Sequence, residues 1–159
     1  MKKMAGVTLI ELIVVVSIVA ITLTIGVPSM QNMIANNRSS SQAVIFVASL
    51  NLARSEAVKR GSTVFITATS GNWANGWNVW VDDNGNAAMD ADEVLQTSVG
   101  LTGGNTMAET GGATELAYTA TGRITNAVAF IITSASGNVN HNRTVQIQPT
   151  GRVHVFGEI

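Results

Sequence analysis

Twenty-one consecutive positions, Val7 to Val27, carry apolar, small or hydroxylic side chains with a single exception, Glu11. As a helix such a run is about 30 Å long at ~1.5 Å per residue, which matches the hydrocarbon core of a bilayer. A carboxylate at membrane depth costs several kcal/mol, so Glu11 needs an explanation. Lys2 and Lys3 lie just upstream. By the positive-inside rule they keep the N-terminus cytoplasmic and send everything after Pro28 across the membrane. An ordinary secretory signal fits poorly, because the run is longer than a usual apolar core and no Ala-x-Ala site closes it. A plain single-pass anchor accommodates the length. Neither accounts for Glu11.

The remaining chain differs in character. Of 159 residues 46% are hydrophobic, and the mean hydropathy of +0.28 owes much to the first thirty positions. The rest is poor in charge and rich in Gly, Thr, Asn and Ser, which suits a β-rich domain with many turns; its regular apolar runs argue against disorder. A formal net charge of -1 gives no global basic footprint for nucleic acid. The absence of cysteine excludes disulfides, thiol catalysis and thiolate metal sites.

The stretch MKKMAGVTLIELIVVVSIVAIT resembles the class III signal of type IV pilins and type II secretion pseudopilins: a short basic leader ending in Gly, a bulky apolar residue, T-L-I-E-L, then a long apolar helix. The resemblance implies a leader of residues 1–6, cleaved by prepilin peptidase between Gly6 and Val7, with N-methylation of Val7. The family usually has Phe where this chain has Val7. Glu11 matches the family's glutamate, which implies a pairing with the N-terminal amine of a neighbouring subunit in a filament; a buried carboxylate is tolerable when an opposite charge meets it. Cleavage would also remove Lys2 and Lys3, lowering the formal positive charges from nine to seven against ten acidic residues.

Residues 7–27 therefore form the membrane and filament-core helix, and 28–61 its periplasmic continuation. Pro28 matches a helix-kinking proline of the family and, lacking a backbone donor, should kink or break the helix. Beyond it, Met30, Met33 and Ile34 cluster, and a polar patch follows from Asn36 to Gln42. Phe46, Leu50, Ala53 and Ala57 then recur at i, i+4, i+7 and i+11, the core face of a helix. Glu56 and Arg60 can pair at i, i+4, and Gly61 suits a stop. The segment NLARSEAVKRG resembles the end of the long helix in the GspH/FimT group, which comprises the minor pseudopilin H and the FimT/FimU minor pilins. WANGWNVWVDDNGN and RTVQIQPTGRVHV resemble later segments of the same group.

From residue 62 to 159 the period changes. TVFITAT, GWNVWVD, EVLQTSV, ELAYTAT and AVAFIIT read as strands, and TVQIQ with RVHVF as a closing hairpin. AVAFIIT is apolar enough to be buried on both faces. In GWNVWVD, Trp77, Val79 and Val81 face one way and Asn78, Trp80 and Asp82 the other. The Gly-rich run from Gly100 to Gly112 reads as a connection. The expected fold is α+β: a long N-terminal helix packed on a small antiparallel sandwich or two-sheet head. Trp73, Trp77 and Trp80 are placed in packing rather than on a stacking platform.

Two sets of residues could bind ligands. Asp82, Asn84, Asn86, Asp90 and Glu93 stand at positions 1, 3, 5, 9 and 12 of a calcium-loop spacing. Ala87 replaces the usual Gly at position 6 and strands rather than helices flank the loop, so a solvated acidic hairpin tip is the simpler reading; any calcium would be structural. The closing GRVH resembles the G-R-x-R motif through which FimT-type minor pilins bind DNA. Gly151 and Arg152 match it, but His154 stands for the second arginine, which weakens a phosphate site; Arg123 and Arg143 contribute only if they converge on Arg152. No nucleophile motif, phosphate loop or His-rich metal spacing surrounds His141 and His154. The resemblance implies a structural subunit rather than an enzyme, with other pilins, prepilin peptidase and the inner membrane as partners; the alternative is a DNA-binding minor pilin for transformation. The missing cysteines count against a typical FimT/FimU relative, whose head often carries a disulfide.

Overall fold

A computed structural model describes residues 6–157; most of the expected leader, residues 1–5 with Lys2 and Lys3, lies outside them. Two units are distinguished, Met1–Ile34 and Ala35–Ile159. One helix, α1 (Leu9–Arg60), supplies all the regular structure of the first and the opening of the second. Of the expected kink or break at Pro28, the break does not occur: the helix continues through it. A proline forfeits one backbone donor, and the helix extends on both sides of it. Gly61, at φ +65°, ends the helix in the left-handed conformation that glycine adopts without strain. In the last turn Glu56 accepts from Arg60 at 2.9 Å and from Lys59 at 3.3 Å. Those two hydrogen bonds, Arg60 foremost, lower its pKa below the usual carboxylate value.

In the second unit eight strands follow: β1 (Val64–Ala68), β2 (Gly76–Val81), β3 (Val94–Val99), β4 (Thr106–Glu109), β5 (Glu115–Tyr118), β6 (Val128–Thr133), β7 (Arg143–Ile147) and β8 (Val153–Phe156). They form two four-stranded sheets, ordered β3-β2-β1-β5 and β4-β6-β7-β8, with antiparallel pairing throughout. Phe46, fully buried, joins helix and sheets. Its ring meets Trp77 of the first sheet edge-on at 4.9 Å and Phe130 of the second at 4.7 Å. Leu50, Ala53 and Ala57 are equally buried, so the i, i+4, i+7, i+11 face is the seam on which the head is built.

Two further sequence expectations are corrected, and the packing role of the tryptophans is refined. The Gly-rich connection contains a strand, β4, whose Met107 enters the core. Strand β6 buries Phe130 and Ile132 but leaves Ile131 39% exposed, so only one face is covered; its apolar run reflects an uncharged outer surface rather than a second layer. Trp80 faces away from Trp77 but is nevertheless buried, stacked on Phe65 at 4.6 Å, with its indole N–H donated to Thr67. All three tryptophans are buried, so none offers an open platform.

Candidate functional site

The first region of interest is the start of α1. Gly6, Val7 and Thr8 precede the helix in irregular backbone and are exposed, the condition a protease needs at a scissile bond. Thr8 caps the helix: its Oγ1 accepts from Glu11 N at 3.3 Å and its carbonyl from Leu12 N at 3.2 Å. Threonine followed three residues later by glutamate is a capping-box spacing. It also places the carboxylate in the first turn, at the positive end of the helix dipole. Glu11 and its apolar neighbours are exposed, and among the described residues Glu11 makes no ion pair. Further along, Ser17 donates to the carbonyl of Ile13, Thr22 to Ile18, and Thr24 to Ala20 and Ile21. These hydroxyls are satisfied within the helix, as a hydrocarbon environment demands. Among the described residues, α1 is the one helix long and apolar enough to cross a membrane.

The acidic loop does bring its five positions together, but around its own backbone. Asp82 accepts from the amides of Gly85, Asn86 and Ala87 at 2.7, 3.1 and 3.0 Å. Glu93, only 3% exposed, accepts from Asp83, Asn84 and Asp90 amides at 2.9, 3.2 and 3.2 Å. Asp90 accepts from the side-chain amides of Asn84 and Asn86, both at 2.8 Å. Ala87 takes φ 59°, so the position that favours glycine in a calcium loop is left-handed here too. Among the described residues no three His, Asp or Glu side chains are grouped as a metal site.

The three arginines separate. Arg123 and Arg152 are exposed, on turns held against each other: Ile124 N donates to the carbonyl of Pro149 at 3.2 Å. Arg54 of the helix ties both turns, donating to the carbonyls of Gly122 and Thr150 at 3.0 Å each. Gly151 is required there, because a Cβ would come within 2.0 Å of the Gly122 oxygen. Arg143 belongs elsewhere. It is 2% exposed and donates to Ser40, Asn36 and the carbonyls of Asn140 and Asn142. It cannot join Arg152 on a phosphate, which removes it from the expected DNA set. His154 is half-buried.

Sequence reasoning missed the role of the polar patch. Of the segment Asn36 to Gln42, Asn36 and Ser40 hold Arg143, while Ser39 and Gln42 accept from Asn105 at 3.2 and 2.7 Å. Gln42 also donates to the Thr102 carbonyl at 3.0 Å, and Asn105 accepts from Ala135 N at 3.0 Å. Ser39 and Ser49 within an otherwise apolar helix face were the available signal.

The comparisons agree with this architecture. The family model described as Type II transport protein GspH matches residues 42–151, and the prokaryotic N-terminal methylation motif matches residues 1–27. A search of curated proteins found no match. Among solved structures, the type IV minor pilin FimU of Pseudomonas aeruginosa (strain PAO1) is 27% identical with a TM-score of 0.64, over 76% of this chain and 89% of that one. A second crystal form of FimU gives 28% and 0.60, over 74% and 91%. The minor pseudopilin EpsH of the Vibrio cholerae Type 2 Secretion System, 15% identical, shares the fold with a TM-score of 0.61 over 76% of this chain and 97% of that one.

Proposed function

The chain belongs to the GspH family, and from that membership we infer its role: it is a minor pilin or pseudopilin, a structural subunit of a type IV pilus or of a type II secretion pseudopilus. The observation that carries this is the pairing, in one chain, of the N-terminal methylation motif over residues 1–27 with a GspH head over residues 42–151. The motif implies processing by prepilin peptidase, and the apolar helix implies membrane anchoring. In finer detail, the leader is residues 1–6, cleavage falls between Gly6 and Val7, and Val7 is N-methylated. The N-terminus lies in the cytoplasm and the head in the periplasm. The new α-amine stands at the positive end of the helix dipole, where a cation is unfavourable. Glu11 offsets it and, in a filament, pairs with the amine of a neighbour, which fixes subunit register. Co-expression with a prepilin peptidase, followed by mass spectrometry of the N-terminus, tests this. A chain beginning at N-methylated Val7 is expected; a chain retaining residues 1–6 in the presence of active peptidase refutes it.

A second reading, DNA capture, is favoured by one feature, the exposed Arg123 and Arg152 on adjoining turns. Its test is binding of a labelled duplex across a salt series, with Arg152→Ala as the control.

A further inference from the structure

The head begins at Ala35, eight residues beyond Val27. Eight residues reach at most about 28 Å whatever their course, so with the span in a bilayer the Ala35 end of the head stays close to the membrane surface. That end is built from three segments tied to one another. Gln42 of α1 donates to the Thr102 carbonyl at 3.0 Å, Asn105 accepts from Ala135 N at 3.0 Å, and Asn36 accepts from Arg143. Segments 35–43, 100–106 and 134–143 contain no Asp or Glu. Five acidic residues lie instead in the loop from Asp82 to Glu93, and Asp83 there meets Arg60 at 3.5 Å, at the other end of the helix segment that packs on the sheets.

The Ala35 end presents apolar and cationic side chains. Val139, 75% exposed, heads a 3-10 turn (Val139–His141). The turn is fixed beneath it: His141 is buried with its Nδ1 2.9 Å from Ser136 Oγ, and the Asn138 side chain accepts from Asn140 N at 3.0 Å. Phe156, paired with Thr144 at the end of β8, is exposed. Arg38 leans over Gly103 and leaves no room there for a Cβ. Helix positions two apart stand about 200° apart, so Arg38 lies on the side of α1 away from Ser40, which holds Arg143. Arg143 has its donors engaged; among the described residues Arg38 makes no ion pair.

We propose that this end of the head docks on the surface of an anionic phospholipid bilayer, with Arg38 on headgroup phosphate and Val139 and Phe156 in the interface. Apolar side chains on a fixed tip enter the interface with little loss of freedom, and a cation near an anionic surface adds to the attraction. A helix side chain leans toward the N-terminal end, the end from which the span arrives, and a long arginine stem lets its head reach back to the phosphates. The bilayer is the occupant that the chain itself supplies, because the span brings it within reach before any partner subunit. The docking rests on membrane anchoring by α1 and is independent of cleavage before Val7.

The chain has no cysteine, so a single-cysteine variant takes an environment-sensitive dye at one place. Full chains labelled at Val139→Cys, at Ala88→Cys on the exposed acidic loop and at Ile18→Cys in the span are reconstituted in vesicles of phosphatidylcholine, with and without phosphatidylglycerol. Lipids spin-labelled on the headgroup or on the acyl chain serve as quenchers. The headgroup label is expected to quench the Val139 dye and to spare the Ala88 dye. In the anionic vesicles Arg38→Gln should lower the ratio of docked to undocked heads about fivefold, the worth of one cation at such a surface, and Arg38→Lys should keep it. An Ile18 dye that the acyl-chain label cannot reach would overturn the anchoring and the docking together. With the Ile18 dye quenched, three results would overturn the docking alone. One is a Val139 dye quenched no more than the Ala88 dye, and another is indifference to both lipid charge and Arg38→Gln. The third is a Val139 emission shift that fades as the protein is diluted in lipid, which would assign this end of the head to a second copy of the chain.

Discussion

Replacing Arg143 with Met keeps the aliphatic stem and removes all five N–H donors. If Arg143 is a structural clamp, the loss appears as stability. Asn36 and Ser40 are half-buried and can turn to water, so their share is small. Asn140 is exposed, so its carbonyl, bonded at 3.1 Å, is resolvated; the carbonyl of half-buried Asn142, bonded at 2.8 Å, loses its donor beside an Arg143 that is itself 2% exposed. An acceptor left unsatisfied costs about 1–3 kcal/mol, and relief from burying a charge offsets part of the total. A net loss of about 1–2 kcal/mol follows, or roughly 4–8 °C in Tm at about 4 °C per kcal/mol for a unit of this size. Arg143→Lys should lose about half as much, since a point charge cannot serve acceptors spread around a planar fork. The assay is thermal unfolding of the full chain in micelles, followed by fluorescence of the tryptophans, all of which lie in the head. A shift under about 3 °C for Arg143→Met would refute the clamp. So would a variant of unchanged Tm that had lost salt-dependent DNA affinity, because it would return Arg143 to the phosphate-binding role expected from sequence.

Five shorter tests accompany it. Glu93→Gln should lower head stability by about 1–2 kcal/mol, because it replaces one of the two carboxylate oxygens that hold three amides. EDTA should leave the wild-type Tm unchanged, and a calcium-dependent rise of several degrees would show that the loop is a metal site. Tyr118 is buried, its hydroxyl has no partner among the described residues, and desolvation raises its pKa to about 12. The unfolded chain loses this proton near pH 10 and the folded one near 12, so the contribution is intact below pH 10 and falls away between 10 and 12, by an order of 2–3 kcal/mol. Tyr118→Phe should remove that alkaline slope at little cost in neutral stability; an unchanged slope by urea unfolding would refute the assignment. Glu11→Ala should leave cleavage intact but reduce incorporation into filaments, as measured by immunoblotting sheared fractions; normal incorporation would sink the register role. For the DNA reading, Arg152→Ala together with Arg123→Ala should reduce both affinity and its salt slope, whereas a wild-type head that fails to bind at low salt ends that reading.

Much of this fold was legible because the sequence repeats its signals. The helix face at Phe46, Leu50, Ala53 and Ala57, the stop at Gly61 and most of the strands follow from period and β-branching. What escaped depends on neighbours rather than on period. Strand β4 is four residues in a glycine-rich run, and its pairing with β6 defines it. Trp80 was assigned to the outer face correctly, but its burial arises from Phe65 across the sheet. Arg143 reads locally as a surface cation beside a turn; it is interior because its partners Asn36 and Ser40 stand more than a hundred residues away. The acidic loop shows the reverse limit. Its side-chain spacing was legible, but spacing cannot say whether the oxygens serve a cation or the loop's own amides, and here they bond the amides.

The polar seam bears on what the head can present to others. Ser39, Gln42 and Asn105 exchanged together for well-packed apolar residues would cost little stability, since a buried polar set seldom surpasses good packing. Their value lies in register. Each residue of an α-helix advances about 100°, so a one-residue rotation of α1 on the sheets would move Phe46 off the two sheets, take Asn36 and Ser40 away from Arg143 and break the bonds of Gln42 to Asn105 and Thr102. An apolar seam of alanine and leucine would tolerate such a slip far better. With the seam closed, Val44, Ile45 and Val58 stay outward, 67%, 52% and 55% exposed. Weakening the seam by Asn105→Leu leaves the buried oxygens of Ser39 and Gln42 without their donor and should lower unfolding stability by about 1–3 kcal/mol while altering solvent exposure at these three positions. Cysteine accessibility at Val44→Cys, Ile45→Cys and Val58→Cys measures this: a changed labelling pattern beside that modest loss of stability is expected. An unaltered pattern would mean that Phe46 and the aromatic core set the register on their own.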